Sequence, residues 1–210
     1  MDTLFWDVDT QHDFIDEDGA LYVDGAETIR GNLDRITKYA RKNDRTIMGS
    51  VDYHHEDDEE LSDNPDFEDT FPPHCLAGNE GQEKIEETSP ANPLWIDYEP
   101  RDEESLLEEI HSHEGEVFFR KKRFDVFSNP NVKPVLDAID PFQIAVYGVT
   151  LDVCVTFAVE GLLDMDQQIT VISDATRALD ENERQSILFD WKILGVQVID
   201  TEEALSGYVL

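Results

Sequence analysis

Basic residues are scarce in this chain: 16 Lys and Arg stand against 49 Asp and Glu, a formal charge of −33 over 210 residues. A surface of that sign repels nucleic acid, nucleotides and anionic lipid, which argues against all three as partners. Cysteine is nearly absent, with only Cys75 and Cys154 in unlike contexts. Two such thiols suggest no disulfide framework and suit a reducing, cytoplasmic setting. No window approaches the roughly 18 apolar residues of a membrane span, and the start MDTLFWDVDTQ lacks the basic and then apolar pattern of a secretory leader. Also missing is a Gly-x-Gly-x-x-Gly or phosphate-loop string after any apolar run, which disfavours a nucleotide-binding dehydrogenase.

What is present is enough apolar sequence, 40% of residues, to fill a sizeable core, and a single domain over residues 1–210 is expected. Short apolar runs begin at Thr3, Arg45, Glu116, Gln143, Ile169 and Val196, and each has the length of a buried strand. Amphipathic stretches lie between them: Ala26 to Lys42, Glu103 to His113, Asn131 to Ile139, Cys154 to Met165 and Asn182 to Leu194. Strand alternating with helix predicts a three-layer α/β/α fold of Rossmann-like topology. Its sheet is mostly parallel, with about six strands and ligands at their carboxyl ends. The exception is the stretch 53–101, rich in Asp, Glu, Pro and Asn and weak in periodicity; a loop of that length is functional or disordered. Acidic runs at Glu56 to Glu60 and Asp102 to Glu104 read most simply as solvated surface.

Several residues could carry chemistry at the carboxyl edge. Asp9 follows the first apolar run, where it would serve as a general base or merely cap a loop, with Asp7 and Asp13 competing for the role. Lys121 follows the run around Phe118 and is either a surface cation or a fixed one beside a carboxylate and a thiolate. Cys154 opens an apolar helix. The free N–H groups and dipole there lower a thiol pKa from about 8.5 by one to several units, unless the residue is simply a small core side chain. Asp52, His54 and His74 flank the irregular stretch. They could hold a divalent zinc, iron or manganese ion with open positions, or be surface groups like the adjacent His55.

Taken together, these strings resemble the isochorismatase-like cysteine hydrolases over nearly the whole chain. Asp9, Gln11, Asp13 and Phe14 match that family's Asp-x-Gln-x-Asp-Phe start, and Lys121 its Lys six residues before a Phe, here Phe127. Cys154 matches the element Gly-Val-x-x-Asp-x-Cys-Val. The nicotinamidase (pyrazinamidase) branch carries Asp-x-His and then Trp-Pro-x-His-Cys-x-x-Gly, which Asp52, His54 and the string Phe71 to Gly78 resemble. Phe71 replaces Trp, Asn79 replaces Thr, and Thr150-Leu151 stands where Ala-Thr is common. Glu60 takes the place of an additional His that some members have.

The resemblance implies a cysteine amidohydrolase of NAD salvage whose substrate is a small neutral amide, nicotinamide foremost. Asp9, Lys121 and Cys154 would be the reacting residues. Asp52, His54 and His74 would hold one divalent metal, with Glu60 as a further ligand. Phe14, Phe71, Phe127 and Val153 would line the pocket, and a cis peptide from Val149 to Thr150 would aim the N–H groups of Thr150 and Cys154 at an oxyanion. The alternatives are a carbamoyl or ureido amidase on the same scaffold, a vinyl-ether hydrolase such as isochorismatase itself, and a non-catalytic metal-binding or interaction protein. Whether the chain forms a homo-oligomer stays open.

The charge points to a halophilic protein, because self-repulsion fades as the Debye length shrinks to roughly 3 Å in molar salt. The melting temperature is therefore expected to rise between about 0.1 M and about 3 M salt. Equal stability at both would remove that inference.

Overall fold

The computed structural model describes residues 3–206. Its strands are β1 (Thr3–Val8), β2 (Ile47–Asp52), β3 (Pro93–Ile96), β4 (Glu116–Lys121), β5 (Gln143–Val149), β6 (Ile169–Arg177) and β7 (Gln197–Ile199). They pair in the order β3-β4-β2-β1-β5-β6-β7, and every pairing is parallel. The helices are α1 (His12–Ile15), α2 (Arg30–Lys42), α3 (Glu103–Ser112), α4 (Val132–Ile139), α5 (Cys154–Asp164), α6 (Glu181–Ile193) and α7 (Thr201–Leu205). Among the described residues, no helix is long and apolar enough to cross a membrane.

The central strands are apolar on both sides because both faces of the sheet are covered. Leu4, Trp6 and Val8 of β1 join Phe119 and the α5 residues Val155, Val159 and Leu162 in one core; Trp6 stacks on Phe119 at 5.9 Å. Phe5 turns the other way, to Leu33, Ile36 and Ala40 of α2 and to Phe118 and Tyr147. The period-two alternation of strand side chains thus divides one run between two cores.

Among the described residues the sheet has seven strands rather than six. The additional one, β3, lies within the stretch expected to be irregular. It is four residues long, starts with Pro93 and sits at the sheet edge, so it shows neither a long apolar run nor alternation. The helix expected from Ala26 begins as a 3-10 turn, Ala26–Ile29, before α2 proper.

The strand order reverses at β1, whose neighbours are β2 on one side and β5 on the other. A doubly wound sheet opens a crevice at the carboxyl ends at such a point. The spacing there is tight: a Cβ built on Gly49 of β2 would lie 1.9 Å from the Asp7 carbonyl oxygen. Gly49→Ala should therefore cost about 1–3 kcal/mol through overpacking, read as a lowered melting temperature. A variant as stable as the parent would show that β1 and β2 can separate without cost.

Candidate active site

The ends of β1, β2, β4 and β5 at the crevice each deliver one candidate side chain. Asp52 and Lys121 are register partners at the ends of β2 and β4. Asp9 follows β1 in a left-handed turn, φ 48°, with its N–H on the Ser50 carbonyl at 3.2 Å. Cys154 opens α5 beyond the end of β5, where the peptide joining Val149 to Thr150 is cis. Gln11 ties the two central ends together: its amide accepts from the Asp52 N–H at 2.7 Å and donates to the Asp52 carbonyl at 2.8 Å.

Lys121 occupies the centre with no exposure. Its ammonium pairs with Asp9 Oδ2 at 3.0 Å, donates to Asp52 Oδ1, and lies 3.6 Å from Cys154 Sγ. Burial works against its charge, but Asp52, Asp9 and Cys154 outweigh this and hold its pKa well above the usual lysine value. Burial pushes the Asp9 carboxyl up, with Lys121 opposing and Asp52 reinforcing. Burial also pushes the Cys154 thiol well up, and the nearby Asp9 and Asp52 carboxylates add to it against the pull of Lys121. This reverses the lowering expected from a helix start: the thiol does begin α5, but burial beside two carboxylates dominates.

The three competing aspartates separate cleanly. Asp7 pairs with Lys84 at 3.0 Å and accepts from Thr10 at 2.8 Å. Asp13 accepts the N–H of Cys75 at 2.6 Å and that of Ala20 at 3.0 Å. Only Asp9, of these, faces Lys121 and Cys154; neither of its oxygens has a well-aligned hydrogen bond, and one lies within 4.8 Å of the sulfur.

Against this group stands a second cluster, Asp52, His54, Glu60 and His74, with one atom from each within 4.8 Å of the others and all four buried. Residues after His74 run beside His54, with His54 N–H on Cys75 O at 3.1 Å, which brings the two imidazoles to 4.8 Å. Phe71 N–H donates to Glu60 O at 2.8 Å and draws Glu60 inward, so this member of the acidic run is 2% exposed rather than solvated surface. Burial opposes the charge on Asp52, yet Lys121 and the two imidazoles hold its carboxyl well below the usual range. Burial and Asp52 push Glu60 up.

The cluster fits a metal ion. Both ring nitrogens of His54 and Glu60 Oε2 are buried without a hydrogen-bond partner, and buried polar atoms require one. The second nitrogen of His74 meets the Pro72 carbonyl at 2.7 Å, which leaves Nε2 facing Asp52 Oδ2 at 3.4 Å. Two imidazoles and two carboxylates suit zinc, iron or manganese.

Both groups open on one pocket. Asp52, Glu60, His74 and Cys154 form its polar side, and Phe14, Phe71, Phe124 and Val153 its apolar walls, with Thr150, Leu21 and Leu179 completing it. Its free volume is about 20 Å³, room for a single water. Phe127 does not line it. Its ring lies over Gly161 of α5, where an added Cβ would come within 2.2 Å, and Phe124 takes the place at the pocket instead. Leu21 and Leu179 sit in loops without periodicity, so local sequence does not signal their place at the pocket.

The Isochorismatase domain model matches residues 7–203, and the chain belongs to that family. Among solved structures, the nicotinamidase/pyrazinamidase of Bacillus subtilis is 23% identical with a TM-score of 0.74, covering 95% of this chain and 100% of its own. The pyrazinamidase of Pyrococcus horikoshii in complex with zinc is 18% identical, with a TM-score of 0.72 and coverage of 95% and 99%. N-carbamoylsarcosine amidase of Thermoplasma acidophilum is 20% identical, with a TM-score of 0.71 and coverage of 96% and 97%. Similarity at this level establishes a shared fold. A search among curated proteins finds no match.

Replacing Lys121 by Met leaves buried Asp9 and Asp52 without their cation. Breaking such a pair costs about 3–5 kcal/mol, and urea unfolding of the metal-free variant should show that loss. An unchanged midpoint would mean that the cluster is held together by something else.

Proposed function

We propose that the chain is a metal-assisted cysteine amidohydrolase that converts nicotinamide and water to nicotinate and ammonia through a thioester on Cys154. The observation that carries this reading is that Cys154, backed by Lys121 and Asp9, lines one aromatic-walled pocket with Asp52, Glu60 and His74 of the cluster that also contains His54. Those four residues would hold one divalent ion, which supplies a Lewis-acidic position for a ring nitrogen. Phe14, whose ring lies 5.3 Å from that of His74, and Phe71 would flank the ring.

Asp9 takes the proton of Cys154 Sγ, for which the two must approach to about 3 Å in the working complex. The sulfur attacks the carboxamide carbon, and the oxyanion faces the backbone N–H groups of Thr150 and Cys154 at the start of α5. Asp9 passes its proton to the departing nitrogen as the C–N bond breaks, releasing ammonia and leaving the thioester. It then takes a proton from the attacking water and returns it to sulfur as the carboxylic acid leaves. Lys121 keeps Asp9 oriented and balances the charge that moves between carboxylate and thiolate. Losing one oxyanion donor typically costs about 10²–10³ in rate.

A second reading, hydrolysis of a carbamoyl or ureido compound with the metal cluster vestigial, is favoured by the N-carbamoylsarcosine amidase that shares the fold. A non-catalytic protein would need neither a thiol beside a buried ammonium nor a pocket over it. Metal-loaded protein in high salt should release ammonia and nicotinate in equal amounts from nicotinamide, and Cys154→Ala should abolish turnover with folding intact. Activity retained in that variant ends the thioester mechanism. No nicotinate beside hydrolysis of a ureido compound discards nicotinamide alone.

A further inference from the structure

The two imidazoles of the metal cluster have different groups behind them. Behind His74 is the Pro72 carbonyl, 2.7 Å from Nδ1. Behind His54 is a carboxylate: Asp58 Oδ2 lies 3.6 Å from Nδ1 of a side chain with no exposure and no hydrogen bond at either nitrogen. On its other edge, His54 Nε2 faces Asp52 Oδ2 at 3.9 Å and Glu60 Oε1 at 3.8 Å. The ring is therefore placed between a metal-ligand side and a carboxylate side.

Asp58 is itself fixed. Lys122 Nζ donates to Oδ1 at 2.8 Å, and the His55 N–H donates to Oδ2 at 2.8 Å. Lys122 is held in turn over the ring of Tyr98, 4.3 Å from its centroid. Burial opposes the charge on Asp58, but Lys122 and the His55 N–H prevail and keep the carboxyl below its usual range. The adjacent lysines thus serve different carboxylates, Lys121 those within the site and Lys122 the one behind it.

We propose that Asp58 is a positioning residue for the metal centre: its carboxylate, anchored by Lys122, accepts the Nδ1–H of His54 and aims Nε2 at the ion shared with Asp52, Glu60 and His74. The inference rests on the metal-site reading above. A ring movement of roughly half an ångström brings Nδ1 and Oδ2 to ordinary hydrogen-bond length. Such a carboxylate fixes the tautomer and orientation of a ligating imidazole and raises its basicity.

The test is the dissociation constant for zinc, measured by competition with a chromophoric chelator, together with the visible spectrum of the cobalt-substituted protein. Asp58→Asn should weaken zinc binding by about 10–100-fold and shift the cobalt bands, with Asp58→Glu recovering part of the affinity. Lys122→Met, which keeps the carboxylate but removes its anchor, should weaken binding in the same direction by a smaller factor, and it reads the same contact if Asp58→Asn does not fold. Affinity and cobalt spectrum unchanged in Asp58→Asn, while His54→Ala loses the metal, would overturn the role of Asp58 alone. Unchanged affinity in His54→Ala would bring down the metal site and this inference with it.

Discussion

One ammonium group, Lys121 Nζ, sits without exposure among the carboxylates of Asp9 and Asp52 and the sulfur of Cys154. Unit charges about 4 Å apart interact by about 4 kcal/mol at an effective dielectric of about 20, so no member of this group can ionise without affecting the others. Desolvation raises the cost of every charge in it, and the carboxylates are tolerable only because Lys121, of opposite sign, lies against both. Asp52 belongs both to this group and to the cluster with His54, Glu60 and His74. Cys154 and the His54, Glu60 and His74 cluster are thereby two ends of one charge network.

The fold supplies that network by register and by tethers. Pairing of β2 with β4 puts Asp52 beside Lys121, and the strand-like amide of Gln11 continues the contact between β1 and β2 beyond the sheet. Asp13 fastens the backbone at Cys75 and so sets the position of His74. Cys75, the other thiol, is buried near the Gly81 carbonyl, and burial pushes its pKa well up, which leaves it a packing residue. Gln11, Asp13 and Cys75 lie outside the pocket lining and fix the positions of the residues that form it.

Much of this could be read from the sequence, and what could not has physical reasons. The strands that cross both cores announce themselves as apolar runs because both faces are covered, whereas the four-residue edge strand β3 has no such run to show. Asp9, Lys121 and Cys154 were placed at strand ends by position alone, and their convergence follows from the parallel sheet. Local sequence does not encode Glu60: it stands in an acidic run and is buried only through the backbone pairing of Phe71 with Glu60. Phe124 and Phe127 are three residues apart in one short string, and only the packing of α5 decides which of them reaches the pocket. The raised pKa of Cys154 is not local either, since a helix start is a local feature while the burial that pushes the thiol up, and the carboxylates that add to it, come from the packing of other strands.

The charge network is tested most directly by the rate at which iodoacetamide alkylates Cys154, followed by peptide mass, in metal-free and zinc-loaded protein. Asp52 and Glu60 both push the thiol up, and an ion bound by them would offset that push. Zinc should accordingly accelerate alkylation at Cys154 while Cys75 stays unmodified. Equal or lower rates after loading would contradict the coupling and leave the thiol and the metal ligands as independent neighbours.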